Sequence, residues 1–163
     1  MSNGTVDGLP PLAVADRLDT LRALFDDAGV DALLVTGTTN VRYLTGFTGS
    51  AGNLWVDDRR AVLITDGRYS EQAPTQIADA GTAVDVEVVG GGDRSPVSAL
   101  ADGSTRIGLE ARLVTWSEQQ RLAKLLDDDP VATDGLVEAL REVKDDGEVA
   151  RIATAAAIAD RAL

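Results

Sequence analysis

Cysteine and histidine are both absent from this 163-residue sequence, and together these absences remove much nucleophilic and metal chemistry. Without cysteine there is no disulfide, no zinc–thiolate site and no thiol nucleophile. Without histidine the usual general base near neutral pH and the commonest metal ligand are missing, which excludes a serine–histidine triad. Lysine is nearly absent too, with only Lys124 and Lys144 beside 13 arginines. Aromatic residues make up 4% of the chain. No apolar run approaches the roughly 20 residues of a membrane-spanning helix, and Met1–Asp7 has no basic, apolar signal sequence. These features predict a soluble, cytoplasmic protein with no membrane partner.

What the chain has in excess is acid. Twenty aspartates and seven glutamates give a formal net charge of −12 at pH 7. Clusters stand at Asp26-Asp27, Asp57-Asp58, Asp127-Asp128-Asp129 and Asp145-Asp146. Such a charge repels phosphate, so nucleic acid is not an expected ligand. Because the acids are scattered, they read as a solvated surface. An Asp-rich, Lys-poor surface resembles those of proteins from salt-in halophiles, in which salt screens self-repulsion. The rival reading is a docking face for a basic partner such as a histone.

The length suits one domain with the start of another. Residues 1–12 lack periodicity and are expected to form a flexible tail. Val14, Leu18, Leu21, Phe25 and Ala28 recur at helical spacing, and Gly29 stands where such a helix ends. Ala32–Val35 reads as a strand covered on both faces. Leu54–Val56 and Ala61–Ile64 flank a polar Asp57–Arg60 turn, the pattern of a hairpin. A helix is expected over about 69–80, starting late or kinking because of Pro74. Val84–Val89 alternates as a strand before Gly90-Gly91-Gly92. Residues 95–101 predict a short helix with Ser95 as cap and Pro96 at its first position. Another strand follows over 106–110. Thr115-x-x-Glu118 is a capping box opening a helix to Leu126, which Asp127–Pro130 stops. A short helix is expected over 136–143, then a longer one capped by Asp145 or Asp146. Its apolar stripe is Val149, Ile152, Ala156, Ala159 and Leu163. The fold class is therefore α/β, a mixed sheet of about five to six strands flanked by helices.

Chemical motifs are few. The glycine-rich stretch Gly46–Gly52 lacks the lysine of a phosphate loop and precedes a strand, so it reads as a structural turn. Asp66-Gly67-Arg68-Tyr69 reads as a cap and bend, with Arg68 a candidate contact for an anion or carboxylate. No acidic spacing suggests a metal site. The residues alone describe a domain without its own active site.

Three stretches resemble the creatinase/prolidase/aminopeptidase P family. They are Asn40-Val41-Arg42-Tyr43-Leu44-Thr45-Gly46-Phe47-Thr48-Gly49-Ser50, then Leu63-Ile64-Thr65-Asp66-Gly67-Arg68-Tyr69, then Leu140-Arg141-x-Val143-Lys144-x-x-x-Glu148-Val149-x-x-Ile152. They stand in the family's order and span about residues 15–163. The resemblance implies a ribonuclease H-like N-terminal domain over 13–143, with 144–163 beginning a truncated catalytic domain. It implies that two divalent metal ions and all their ligands belong to that missing domain, and that this chain alone is inactive. The implied partners are its own catalytic domain, a second copy in a homodimer, and proline-containing peptides for the full-length Xaa-Pro peptidase. By the same analogy Arg42, Tyr43, Phe47 and Ser50, with Arg68, are candidate substrate-side or interface residues. Two alternatives share these landmarks: an inactive protein-binding member, as in the histone chaperone FACT, and a creatinase-like amidinohydrolase.

Overall fold

In the computed structural model, residues 8–90, 95–104 and 106–162 are described, without the side chain of Ser95. The cap assigned to Ser95, the loop glycines Gly91 and Gly92, the first seven tail residues and Leu163 lie outside them. One mixed sheet organises the chain. Its strands are β1 (Ala32–Val35), β2 (Gly52–Asp57), β3 (Ala61–Asp66), β4 (Asp85–Val89), β5 (Ile107–Glu110) and β6 (Val131–Thr133). Their order is β4-β3-β2-β1-β5-β6. Only β2 runs against its neighbours. The antiparallel β1–β2–β3 meander with parallel β5 and β6 is the ribonuclease H-like arrangement, and β4 extends it beyond β3.

Alternation along the strands builds two cores, since successive side chains point to opposite faces. Leu33, Val35, Leu54, Val56 and Leu63 face one side. There they meet α1 (Arg17–Arg22), α2 (Phe25–Ala28), α3 (Thr38–Thr45), α4 (Gln72–Ala80) and α7 (Leu136–Glu142). Ala32, Leu34, Trp55, Val62, Ile64, Ile107 and Leu109 face the other side, under α5 (Ser95–Leu100) and α6 (Trp116–Leu126). With both faces covered, β1 and β5 are buried at every residue, as their unbroken apolar runs require.

Several expectations need correction. The helix read from Val14 to Ala28 is two helices, broken at Ala23 and Leu24, although Val14, Leu18, Leu21 and Phe25 are all buried. For the helix over 69–80 the expected late start holds, at Gln72, after a 3₁₀ turn over Gly67–Tyr69. Pro74 is thus its third residue, where the missing N–H has no helical partner to lose. Two elements were not anticipated, α3 and the short strand β6.

The last helix, α8 (Asp146–Ala162), differs from the others. Gly147 is its one buried residue among those described. Val149, Ile152 and Ile158 are 53%, 57% and 55% exposed. Pro10–Ala13, within and just after the expected tail, lies against its first turn: Ala13 N donates to Asp145 Oδ2 at 3.0 Å, and Arg151 Nη1 donates to the Pro10 carbonyl at 2.7 Å.

Candidate functional site

Parallel strands deliver loops to one edge of the sheet, beyond their carboxyl ends, and the candidate residues gather there. The helix α3 leaves β1 at this edge. Its sequence, Thr-Thr-Asn-Val-Arg-Tyr-Leu-Thr, is poor in helix formers. A tertiary contact starts it instead. Glu110, at the end of β5 and only 7% exposed, turns its carboxylate to the helix N-terminus. Glu110 Oε2 accepts from the amides of Thr36 (2.6 Å) and Gly37 (2.8 Å) and from the Thr36 hydroxyl. Glu110 Oε1 accepts from Asn40 Nδ2 at 2.7 Å. Asn40 is buried and also donates to Glu138 Oε1, while its own oxygen accepts from Arg141 Nη1 at 3.0 Å. A carboxylate at this end of a helix also meets the favourable end of its dipole.

The helix ends at Gly46 in the left-handed conformation (φ 77°), where a Cβ would stand 2.9 Å from that of Ala80. The chain then turns through Phe47 and Gly49. Phe47 is buried, and Gly49 lies so close to its ring that a Cβ would overlap it. This is a structural turn, as the sequence suggested, and β2 follows it.

The structure places the five candidates in two groups. Phe47, Ser50 and Arg68 form one, joined through Tyr69. The Phe47 and Tyr69 rings meet edge to face at 5.3 Å. Ser50 N donates to the Tyr69 hydroxyl at 3.1 Å, and Ser50 Oγ shares a hydrogen bond with it at 2.9 Å. These bonds hold the Tyr69 hydroxyl below its ordinary pKa. Asp66 accepts from the Arg68 amide, the cap expected from sequence, and grips the guanidinium at 3.0 and 2.7 Å. Arg42 is exposed and lines a shallow groove beside this group with Thr38, Thr39, Phe47, Thr48 and Ser50.

Tyr43 belongs to the second group, away from the groove. The Arg17 guanidinium lies 3.8 Å from its ring centroid, and its hydroxyl donates to the Leu140 carbonyl at 3.2 Å. Burial pushes that hydroxyl above its ordinary pKa, against the opposing charge of Arg17. Sequence reasoning missed Glu110, Asn40 as an anchor, and the central role of Tyr69. The first two act across 70 residues, so no local pattern announces them.

Residues 17–143 match the family described as the creatinase/prolidase N-terminal domain. This chain belongs to that family. The creatinase/prolidase-type domain is 38% identical over 154 residues to the uncharacterized peptidase YqhT of Bacillus subtilis, covering 90% of this chain and 41% of that protein. It superimposes on the Xaa-Pro dipeptidase from Bacillus anthracis with a TM-score of 0.76 at 33% identity, covering 82% of this chain and 37% of that one. It also matches the N-terminal domain of the cytoplasmic peptidase PepQ from Mycobacterium tuberculosis, with a TM-score of 0.67 and 37% identity over 77% of this chain and 98% of that one. The chain thus spans about two-fifths of the curated relative's length. Among the described residues of the creatinase/prolidase-type domain, no group of three or more acidic side chains converges as a metal site. No helix among them is long and apolar enough to cross a membrane.

Proposed function

We propose that this chain is the non-catalytic N-terminal domain of an Xaa-Pro aminopeptidase- or dipeptidase-like metallopeptidase. The observation that carries this reading is its match to part of two peptidases and to nearly all of a separately solved PepQ N-terminal domain. The catalytic groups and two divalent metal ions then belong to a further domain of a longer, homodimeric, cytoplasmic protein. In this reading the domain contributes by covering the active site, excluding water and limiting substrate length.

The groove at the carboxyl ends of the strands is the part we assign to the substrate side. Arg42 brings positive charge to this edge of an acidic protein, while the Arg68 guanidinium is paired with Asp66, and a guanidinium suits the carboxylates of short peptides. Ser50 presents a hydroxyl on the same rim, while Phe47 and Tyr69 hold the loop that carries it. Tyr43 serves the junction with α8 instead.

Two measurements test this reading. The purified chain, supplied with manganese, cobalt or zinc, is expected to hydrolyse Xaa-Pro peptides no faster than a boiled control. The longer protein containing this sequence is expected to hydrolyse them. Turnover by the chain alone, or inactivity of the longer protein with all three metals, would overturn the proposal.

A further inference from the structure

We propose that Arg17 is a positioning residue, a latch that fixes the direction in which α8 leaves the domain. This deepens the reading above, because it concerns how the cover is placed over an active site. Arg17 lies in α1 and is only 7% exposed. Its guanidinium makes contacts on two sides. Nη1 donates to the Tyr43 carbonyl at 2.7 Å, and the group lies over the Tyr43 ring. Nη2 donates to Asp145 Oδ2 at 2.6 Å and lies 3.4 Å from Glu148 Oε1.

Those two carboxylates are also the capping box of α8. Asp145 Oδ1 accepts from the Glu148 amide at 2.7 Å, and Glu148 Oε2 accepts from the Asp145 amide at 3.1 Å. One buried cation therefore joins the end of α3 to the start of α8. A flat, five-donor guanidinium can do this, whereas an ammonium on a flexible stem cannot keep the stacking and the fork together. Pro11 closes the other side: its carbonyl lies against Gly147, leaving no room there for a Cβ.

Beyond this first turn α8 is a lever. Its 17 residues rise 1.5 Å each, giving a length of about 25 Å. A rocking of about 10° at the base sweeps the far end through about 4 Å. Misplacement by even about 1 Å can slow an enzymatic step about 100-fold, so whatever α8 carries is placed through Arg17.

The absence of cysteine makes the test direct. Spin labels at cysteines introduced at Asp79 in α4 and Asp160 in α8, both exposed, report one interhelix distance. With Arg17 present the distribution is expected to be single and narrow. Arg17→Met is expected to broaden it by about 3–4 Å, the sweep of the lever, while far-UV circular dichroism shows the domain still folded; the urea midpoint is expected to fall, because Asp145 and Glu148 lose their buried cation. Arg17→Lys is expected not to restore the narrow distribution. Should Arg17→Met not fold, Asp145→Asn breaks the same latch from the α8 side and is expected to broaden the distance alike. An unchanged distribution in the folded variant, or a broad one with Arg17 present, would overturn the proposal. The measurement needs no peptide and no metal. Its failure therefore removes the latch alone, whereas turnover by the isolated chain removes the peptidase reading alone.

Discussion

Replacing Glu110 with alanine should do more damage than its place at the end of a short strand suggests. The substitution removes both oxygens and strands three N–H groups, those of Thr36, Gly37 and the Asn40 side chain. Hydrogen bonds to a charged acceptor contribute about 1.5–3 kcal/mol each, and losing the acceptor leaves the donors desolvated. These terms do not add, because water can enter beside a residue that is 7% exposed and α3 can fray. We therefore expect a loss of about 3–5 kcal/mol, below the simple sum of three such bonds. That is a large part of the roughly 5–15 kcal/mol of a typical domain. Glu110→Gln keeps one oxygen for the two backbone amides but turns an NH₂ towards that of Asn40, so about 1–2 kcal/mol is expected. Urea unfolding gives both values, and hydrogen exchange should show amides of α3 opening first. A loss below about 1 kcal/mol in Glu110→Ala, with an unchanged urea slope, would refute the claim that this carboxylate starts α3.

Two further predictions concern charge. Burial pushes the Asp57 carboxyl up, but hydrogen bonds from the Trp55 indole, the Arg59 and Arg60 amides and the Arg60 side chain outweigh it and hold the pKa below 3.8. A carboxylate with a depressed folded pKa stabilises the fold above its unfolded value and loses that contribution as pH falls through the folded one. The stability difference between wild type and Asp57→Asn should therefore be full near pH 6 and shrink below about pH 4; a constant difference down to pH 2 would contradict this. Thermal unfolding in rising potassium chloride should shift to higher temperature if the acidic surface is a halophilic adaptation, and a chloride–sulfate comparison separates screening from salting-out. A midpoint flat to molar salt would favour the basic-partner reading of the acids.

Legibility in the sequence followed the range of the interactions. The strands β1, β2 and β3 were readable because unbroken apolar runs and a polar turn are local facts. Thr115 could be named as a cap because its partner, the Glu118 amide, is three residues away. The residues of α3 pointed the other way. Threonines and asparagine disfavour a helix, and the carboxylate that reverses this preference comes from β5. The short β6 follows Pro130 and has only three residues, too few for a period to show. At the candidate site the family landmarks mark loops that meet in the structure, yet their residues divide in space. Phe47, Ser50 and Arg68 converge on Tyr69, while Tyr43 turns back towards Arg17. Spacing alone does not reveal that division, because adjacent residues of a helix point about 100° apart.

The lone reversed strand has a consequence for the order of folding. Because β2 runs against both neighbours, β1, β2 and β3 can form as a continuous meander within about 35 residues of chain, with connections of 16 and 3 residues that cost little loop-closure entropy beside the β1–β5 pairing. The parallel pairing of β1 with β5 is different, since its flanking contact between Asp31 and Arg106 spans 75 residues. Non-local pairing of this kind is slow, so the meander should protect its amides first in pulse-labelled exchange. Glu110 arrives only with β5, which makes α3 a late helix. The Gly46–Ser50 loop that follows α3 would then be among the last parts of the molecule to take shape, and slow-folding variants should show their defect there before the sheet.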